Sequence, residues 1–204
     1  TENHNIFKHF SSKEYRLVLD DIRHCILATD LVLFFENRTK LNRLLDDHVF
    51  DWNNSEHIKN VQSLTMTATD LCATYKSWTN QQNIVSTIMD EFWEEGDEEK
   101  RQGLEPLPLM NRSLAYELPK NQVNFIGGIC IPCYELLERV LPDSSPMLAG
   151  ARSNLQRWQE LADQQRRNSR TSSSPIDVAT AETTTSTTEY TSSASSSDPA
   201  RYPS

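Results

Sequence analysis

Long hydrophobic runs are missing from this 204-residue chain. No stretch approaches the ~20 consecutive apolar residues that a membrane-spanning helix needs. Positive charge is also short: 20 Lys and Arg stand against 29 Asp and Glu, for a net charge of −9. Without a Lys/Arg stripe the chain lacks the electrostatic footprint of a nucleic-acid binder. Four cysteines are too few for a disulfide scaffold. The first twenty residues do not read as a signal peptide, and a chain that begins at Thr1 reads as processed or as a fragment. Asn-Gly and Asp-Gly dipeptides are absent, and no window alternates apolar and polar residues for long, which removes the usual signs of β-hairpins. His4, His9, His24, His48 and His57 form neither an H-x-x-x-H pair nor an H-D dipeptide. They read as surface or loop residues that build no metal site among themselves.

What remains is helical. Mean hydropathy is −0.61, and the polar excess is local: residues 171–204 hold 18 Ser and Thr in 34, with no Leu, Phe or Trp. The expected organisation is a folded all-α segment over residues 1–168 and a disordered Ser/Thr-rich tail over 169–204, too poor in apolar surface to offset its ordering entropy. Ser11-Ser12-Lys13-Glu14 has the spacing of a capping box. From there Tyr15, Val18, Leu19, Ile22, Cys25, Ile26 and Leu31 recur at helical spacing, predicting a helix that continues towards Phe34-Phe35. Ser55 opens a second periodic stretch, and Asn80 is placed to cap a third with Ile84, Val85, Ile88, Met89, Phe92 and Trp93 on one face. Residues 103–119 read as a long loop. Pro119 suits the first turn of a fourth helix that runs until Pro142, and a fifth spans Ser145 to about Arg167.

Several groups carry candidate chemistry, each beside a plainer reading. Cys130-x-x-Cys133 has the spacing of half a zinc site or a redox pair, but lacks two further ligands and any βαβ context, and reads as two small apolar residues on a buried helix. Asp90 to Glu99 packs seven carboxylates into ten residues, a solvated helix end in which Phe92, Trp93 and Gly96 mark a buried ridge and a turn. Asp70 lies at mid-helix among small residues, where a carboxylate can approach a cation or simply be solvated. Gln122 and Phe125, three apart on one helix face, could read a purine edge and stack on its ring, or be a surface Gln beside a core Phe.

In order, Thr67-Ala68-Thr69-Asp70-Leu71, Trp78, Gln81-Gln82, Glu91-Phe92-Trp93-Glu94-Glu95-Gly96-Asp97, Leu109-Met110-Asn111-Arg112 and Pro119-x-x-Gln122-Val123-x-Phe125-Ile126 form one string. It resembles the class I 3′,5′-cyclic nucleotide phosphodiesterases. Ile26-Leu27-Ala28-Thr29-Asp30-Leu31 upstream and Trp158-Gln159-Glu160-Leu161-Ala162 downstream extend the resemblance over roughly residues 3–167. It is nearest the branch with regulatory GAF domains that hydrolyses cGMP, or cGMP and cAMP. The resemblance implies a binuclear centre of Zn²⁺ and Mg²⁺ whose bridging hydroxide attacks phosphorus, while a His protonates the departing 3′ oxygen. It implies that Asp70 is a metal ligand, Gln122 the purine-binding amide, Phe125 and Ile88 the two jaws on the base, and Gln81 the residue that orients Gln122.

The family's H-N-x-x-H stretch and H-D motif, which carry the general acid and the other metal ligands, are absent here. The expectation is therefore the C-terminal half of a catalytic domain, with no catalytic acid or base of its own and no activity alone. Its implied partners are the cyclic nucleotide, the upstream half of the domain and GAF domains in a cytoplasmic parent that could form a homodimer; neither nucleic acid nor a membrane span is expected. Two other readings stand beside it: a non-catalytic module that keeps the purine pocket, and a generic helical interaction module.

Overall fold

The computed structural model describes residues 5–172. Seven α-helices account for most of them: α1 (Ser12–Leu27), α2 (Leu31–Asp46), α3 (Ser55–Asp70), α4 (Trp78–Arg101), α5 (Leu118–Phe125), α6 (Ile131–Val140) and α7 (Ser145–Ser172). No strand occurs among the described residues, and the all-α expectation holds. The tail lies outside them from residue 173 onward. α7 runs past Arg167 to Ser172, so residues 169–172, assigned above to the tail, are helical.

The capping box at the start of α1 forms as its spacing predicts. The Glu14 amide donates to Ser11 Oγ at 3.3 Å, and the Ser11 amide donates to the Glu14 carboxylate at 2.8 Å. The single helix expected to run on to Phe34-Phe35 is broken into α1 and α2. Asp30 supplies the break: it takes an extended backbone, and its carboxylate accepts from the Val32 amide at 2.8 Å, starting a new helix. The turn is held from outside, because Thr67 Oγ1 of α3 donates to the Ala28 carbonyl at 2.9 Å. α4 begins at Trp78 rather than after Asn80, with Ser77 in the N-cap position.

The acidic run does not end α4. The helix continues to Arg101, and the turn expected at Gly96 lies at Gly103 instead. There a φ of +79°, which suits glycine, lets Gly103 N and Leu104 N close back onto the Lys100 and Glu99 carbonyls. Gly96 serves packing. A Cβ on it would lie 2.1 Å from the Met110 carbonyl oxygen, so only glycine lets α4 meet the 3₁₀ turn Pro108–Met110. Residues 103–119, expected as a loop, contain that turn and a second over Arg112–Glu117. Both are anchored to α4. Arg112 Nε bonds Asp97 at 2.9 Å with its guanidinium over the Trp93 ring, and Lys100 Nζ donates to Asn111 at 2.7 Å.

The expected fourth helix is two. Between α5 and α6 the residues Ile126–Cys130 form a π turn, with Ile131 N bonded to the Ile126 carbonyl. Pro132 explains the irregularity: it has no N–H to return, so a regular α ladder cannot pass through it. α6 is the centre of the core. Cys133, Tyr134, Leu136, Leu137 and Val140 are buried against Leu64 and Ala68 of α3, Phe34 and Leu41 of α2, and Leu148 and Ala151 of α7. α1 contributes no buried residue.

Candidate functional site

Asp70 is the last residue of α3 rather than a mid-helix residue; Leu71 caps the helix and Cys72–Tyr75 forms a 3₁₀ turn. The carboxylate is exposed, and no cation of the described residues forms an ion pair with it. A helix C-terminus is the negative end of the macrodipole, so an anion there is unfavourable until a cation joins it. The backbone that presents Asp70 is fixed by buried polar groups. Tyr134 Oη lies 3.0 Å from the Ala68 carbonyl and 2.9 Å from the Leu71 carbonyl, and shares its proton between them. Asn154 Nδ2 of α7 donates to the Thr74 and Lys76 carbonyls at 2.9 and 2.8 Å. α7 comes this close because residue 150 is glycine, where a Cβ would sit 2.5 Å from the Tyr75 carbonyl oxygen.

The same anchored segment leads into α4 and sets Gln81, which is wholly buried. The orientation of its amide is forced. Trp158 Nε1 can only donate, and it lies 2.9 Å from Gln81, so the atom facing it is the carbonyl oxygen. The Gln81 Nε2 is then buried without a hydrogen-bond partner among the described residues. A donor left so costs on the order of 1–3 kcal/mol. Trp158 is itself held edge-on by Trp78 at 5.0 Å between ring centroids.

Ile84 and Ile88, one turn apart on α4, keep 37% and 42% of their surface exposed while Val85 and Met89 behind them are buried. Gln122 and Phe125 are half-buried on α5, and the Gln122 amide makes no hydrogen bond to another described residue. Phe125 and Phe92 both rest on the core cluster.

Among the described residues no group of three or more His, Cys, Asp or Glu could hold a metal ion. Cys130 and Cys133 are buried free thiols, which bears out the plain reading; burial pushes both up to about 12. His57 Nδ1 accepts from the Asp51 amide, and His24 Nε2 lies 3.1 Å from the Lys59 carbonyl.

Residues 1–151 match the family described as 3′5′-cyclic nucleotide phosphodiesterase. The chain belongs to that family. It is 46% identical over 166 residues to the probable 3′,5′-cyclic phosphodiesterase pde-5 of Caenorhabditis elegans, covering 81% of this chain and 23% of that protein. It is 37% identical over 164 residues to the cGMP-specific 3′,5′-cyclic phosphodiesterases of Drosophila virilis and Drosophila melanogaster, covering 80% of this chain and 18% and 15% of theirs. The chain thus spans under a quarter of the length of these relatives. The family motifs divide by surroundings: Gly96, Asp97, Asn111 and Arg112 fasten one turn to α4, Phe125 packs on the core cluster, Gln81 is half satisfied by Trp158, and Asp70 and Gln122 have no side-chain partner among the described residues. Sequence reasoning missed the anchors Tyr134 and Asn154, and noted Trp158 only within a string. Each acts on a residue more than 60 positions away, and no local spacing carries such a link.

Proposed function

We propose that this chain is the purine-binding half of the catalytic domain of a 3′,5′-cyclic nucleotide phosphodiesterase, and that it supplies one ligand, Asp70, to a metal centre completed by the longer protein. The observation that carries the reading is the buried Gln81 amide, whose oxygen is taken by Trp158 and whose Nε2 is left to donate. In this reading that donor, which is not bonded to Gln122 in this structure, turns to the Gln122 amide when substrate binds, and each orientation of Gln122 complements one purine, because guanine and adenine present opposite donor–acceptor patterns on the edge it meets. The two Drosophila relatives are named cGMP-specific, which favours guanine. Phe125 and Ile88 supply the faces of the clamp.

The metal is the family's divalent pair, Zn²⁺ and Mg²⁺. A lone carboxylate does not fit that pair, so the described residues cannot hold it alone. The upstream half of the domain also accounts for the uncovered apolar groove of Val18, Ile22, Cys25, Ile26 and Met66. Met66 lies one turn before Asp70 on α3, so a segment seated in that groove comes within a helical turn of the carboxylate. GAF domains, a homodimer and a cytoplasmic location belong to the same reading of the longer protein.

The test is hydrolysis of cGMP and cAMP by the full-length protein. Asp70→Ala should abolish turnover and reduce bound metal. Phe125→Ala should weaken both substrates alike by roughly tenfold to a hundredfold, the cost of losing base stacking. Gln122→Ala should instead change the ratio of kcat/KM for the two substrates, through a penalty of about 1–3 kcal/mol on the matched base. A Phe125→Ala variant that shifts the ratio more than Gln122→Ala does would overturn the assigned roles. Near-normal turnover and metal content in Asp70→Ala would remove the ligand.

A further inference from the structure

The later turns of α7 leave the core and lie along α5 with their side chains in solvent. Leu148, Ala151, Trp158 and Leu161 face the core, whereas every residue from Asp163 to Ser169 is exposed. This exposed part carries Arg166-Arg167-Asn168-Ser169, with the only adjacent pair of arginines in the sequence. Guanidinium groups three and two residues before a hydroxyl suit a protein kinase whose peptide groove bears carboxylates. Charge-assisted bonds to the arginines then set the hydroxyl against the γ-phosphorus of ATP. Ser169 is exposed, and its Oγ donates to the Gln165 carbonyl at 3.0 Å, a back-bond that weakens a helix locally. The described part of α7 reaches three residues further, to Ser172. Exposed helical turns with few core contacts open more readily than buried ones, so this segment can reach the extended form that a kinase requires.

The second observation is where Ser169 sits. It lines a cleft between α5 and α7, with Lys120 on α5 and Arg166 on α7 as its cations and Glu117 and Asp163 as its carboxylates. Arg166 meets Asp163 only at 3.5 Å, in an exposed pair of the weak kind. A phosphate on Ser169 would lie one helical turn from Arg166 and open onto the cleft that Lys120 lines.

We propose that Ser169 is the phosphoacceptor of an arginine-directed kinase, and that its phosphate is held by Arg166 and Lys120, pinning the end of α7 to α5. In the transfer the Ser169 oxygen bonds to the γ-phosphorus of Mg-ATP, the bond to the bridging oxygen breaks, ADP leaves, and the hydroxyl proton passes to the kinase's base. The cleft also holds the Glu117 and Asp163 carboxylates, so the phosphate must draw Arg166 out of its weak exposed pair with Asp163, its doubly charged oxygens competing against a single carboxylate. Lys120 lies two residues before Gln122, so the modification would stiffen the helix that bears Gln122 and Phe125. The inference goes beyond the reading of those residues and requires no hydrolysis of a cyclic nucleotide.

The full 204-residue chain, incubated with Mg-ATP and the catalytic subunit of a cyclic-nucleotide-dependent kinase as an arginine-directed probe, tests it by peptide mass mapping. Phosphate is expected at Ser169, with kcat/KM for the kinase reduced roughly tenfold or more in Arg167→Ala by the lost charge-assisted bond. Hydrogen exchange should then slow over residues 117–124 and 163–169. That slowing should vanish in Lys120→Gln, which remains a kinase substrate. Labelling of the Ser and Thr of 171–204 with Ser169 untouched, or no labelling at all, overturns the acceptor assignment. Phosphate at Ser169 with exchange unchanged or faster overturns the pinning by Lys120 and Arg166.

Discussion

α1 and α6 are both patterned as amphipathic helices, yet α6 buries five residues and α1 buries none. The difference lies in what surrounds them. α6 is enclosed by α2, α3 and α7, whereas α1 meets α3 along one side and leaves Leu19, Ile22 and Ile26 from 42% to 65% exposed. Periodicity therefore says which face of a helix is apolar, and only tertiary structure says whether something covers it. Among the described residues the cover exists for the C-terminal helices and is lacking for α1.

Substitutions of equal chemistry should separate the two regions most sharply. Leu64→Ala removes a side chain with no exposed surface from the centre of the core, and should destabilise the chain by about 2–5 kcal/mol in urea unfolding. Ile22→Ala on α1, 42% exposed, should fall within about 0.5 kcal/mol of the unsubstituted chain. A loss at Ile22 comparable to that at Leu64 would mean that α1 is covered in solution, for instance by a second copy of the chain.

How much could be read beforehand follows the same division. Capping at Ser11, the periodic stretch opened at Ser55 and Pro119 in the first turn of α5 are local signals, and they gave helix starts that the structure keeps within a residue or two. Asp30 carried a cap signal that the unbroken periodicity of its neighbours hid, so the end of α1 was missed. Gly96 read as a turn because a glycine within a polar run has two explanations, a bend or a close approach; the Met110 backbone beside it decides for the second. Of the candidate site, the ordered motif string located the residues. The position of Asp70 at the end of α3 and the Trp158–Gln81 bond depend on contacts that span the chain, and no spacing rule reaches them.

Gly96→Ala probes the packed region a step below the core. Its methyl would overlap the Met110 carbonyl, and the shift needed to relieve that overlap should cost about 1–3 kcal/mol. The separate role of Gly103 predicts a different signature. Gly103→Ala meets no atom within 4 Å and should act only through its positive φ, at about 1 kcal/mol. Equal losses at the two positions would show that contact with Met110 is not what Gly96 provides.

The thiols test the same boundary through pH. Cys130 and Cys133 are held protonated by burial up to about 12, whereas an unfolded thiol ionises near 9.0. The unfolded chain therefore gives up these protons first. Their contribution to stability is complete below about pH 9 and declines as pH rises towards 12. An alkylating reagent applied at about pH 8 should leave both unlabelled in the native chain and label both in denaturant, since reaction requires an accessible thiolate. Native labelling of Cys133 would indicate that α6 opens locally.

The smallest effect concerns the capping box, and it asks whether α1 belongs to the cooperative unit at all. Ser11→Ala removes the oxygen that accepts the Glu14 amide and should lower the local stability of the first turn by about 1 kcal/mol. In a helix coupled to the core that loss appears in the global transition. Here α1 is tied mainly near its C-terminal end, where Ala28 is buried and receives the Thr67 hydroxyl and where His24 reaches Ser63. The first turn can fray without disturbing those contacts. The expected result is faster hydrogen exchange over residues 12–18 with an unchanged Tm. Acid should act in the same direction. The bond from the Ser11 amide holds the Glu14 carboxyl below its ordinary 4.5, so the cap is complete above that value and lost as pH falls through the lowered one. A fall in Tm on Ser11→Ala would place α1 inside the cooperative unit, and would require its apolar face to be packed rather than exposed.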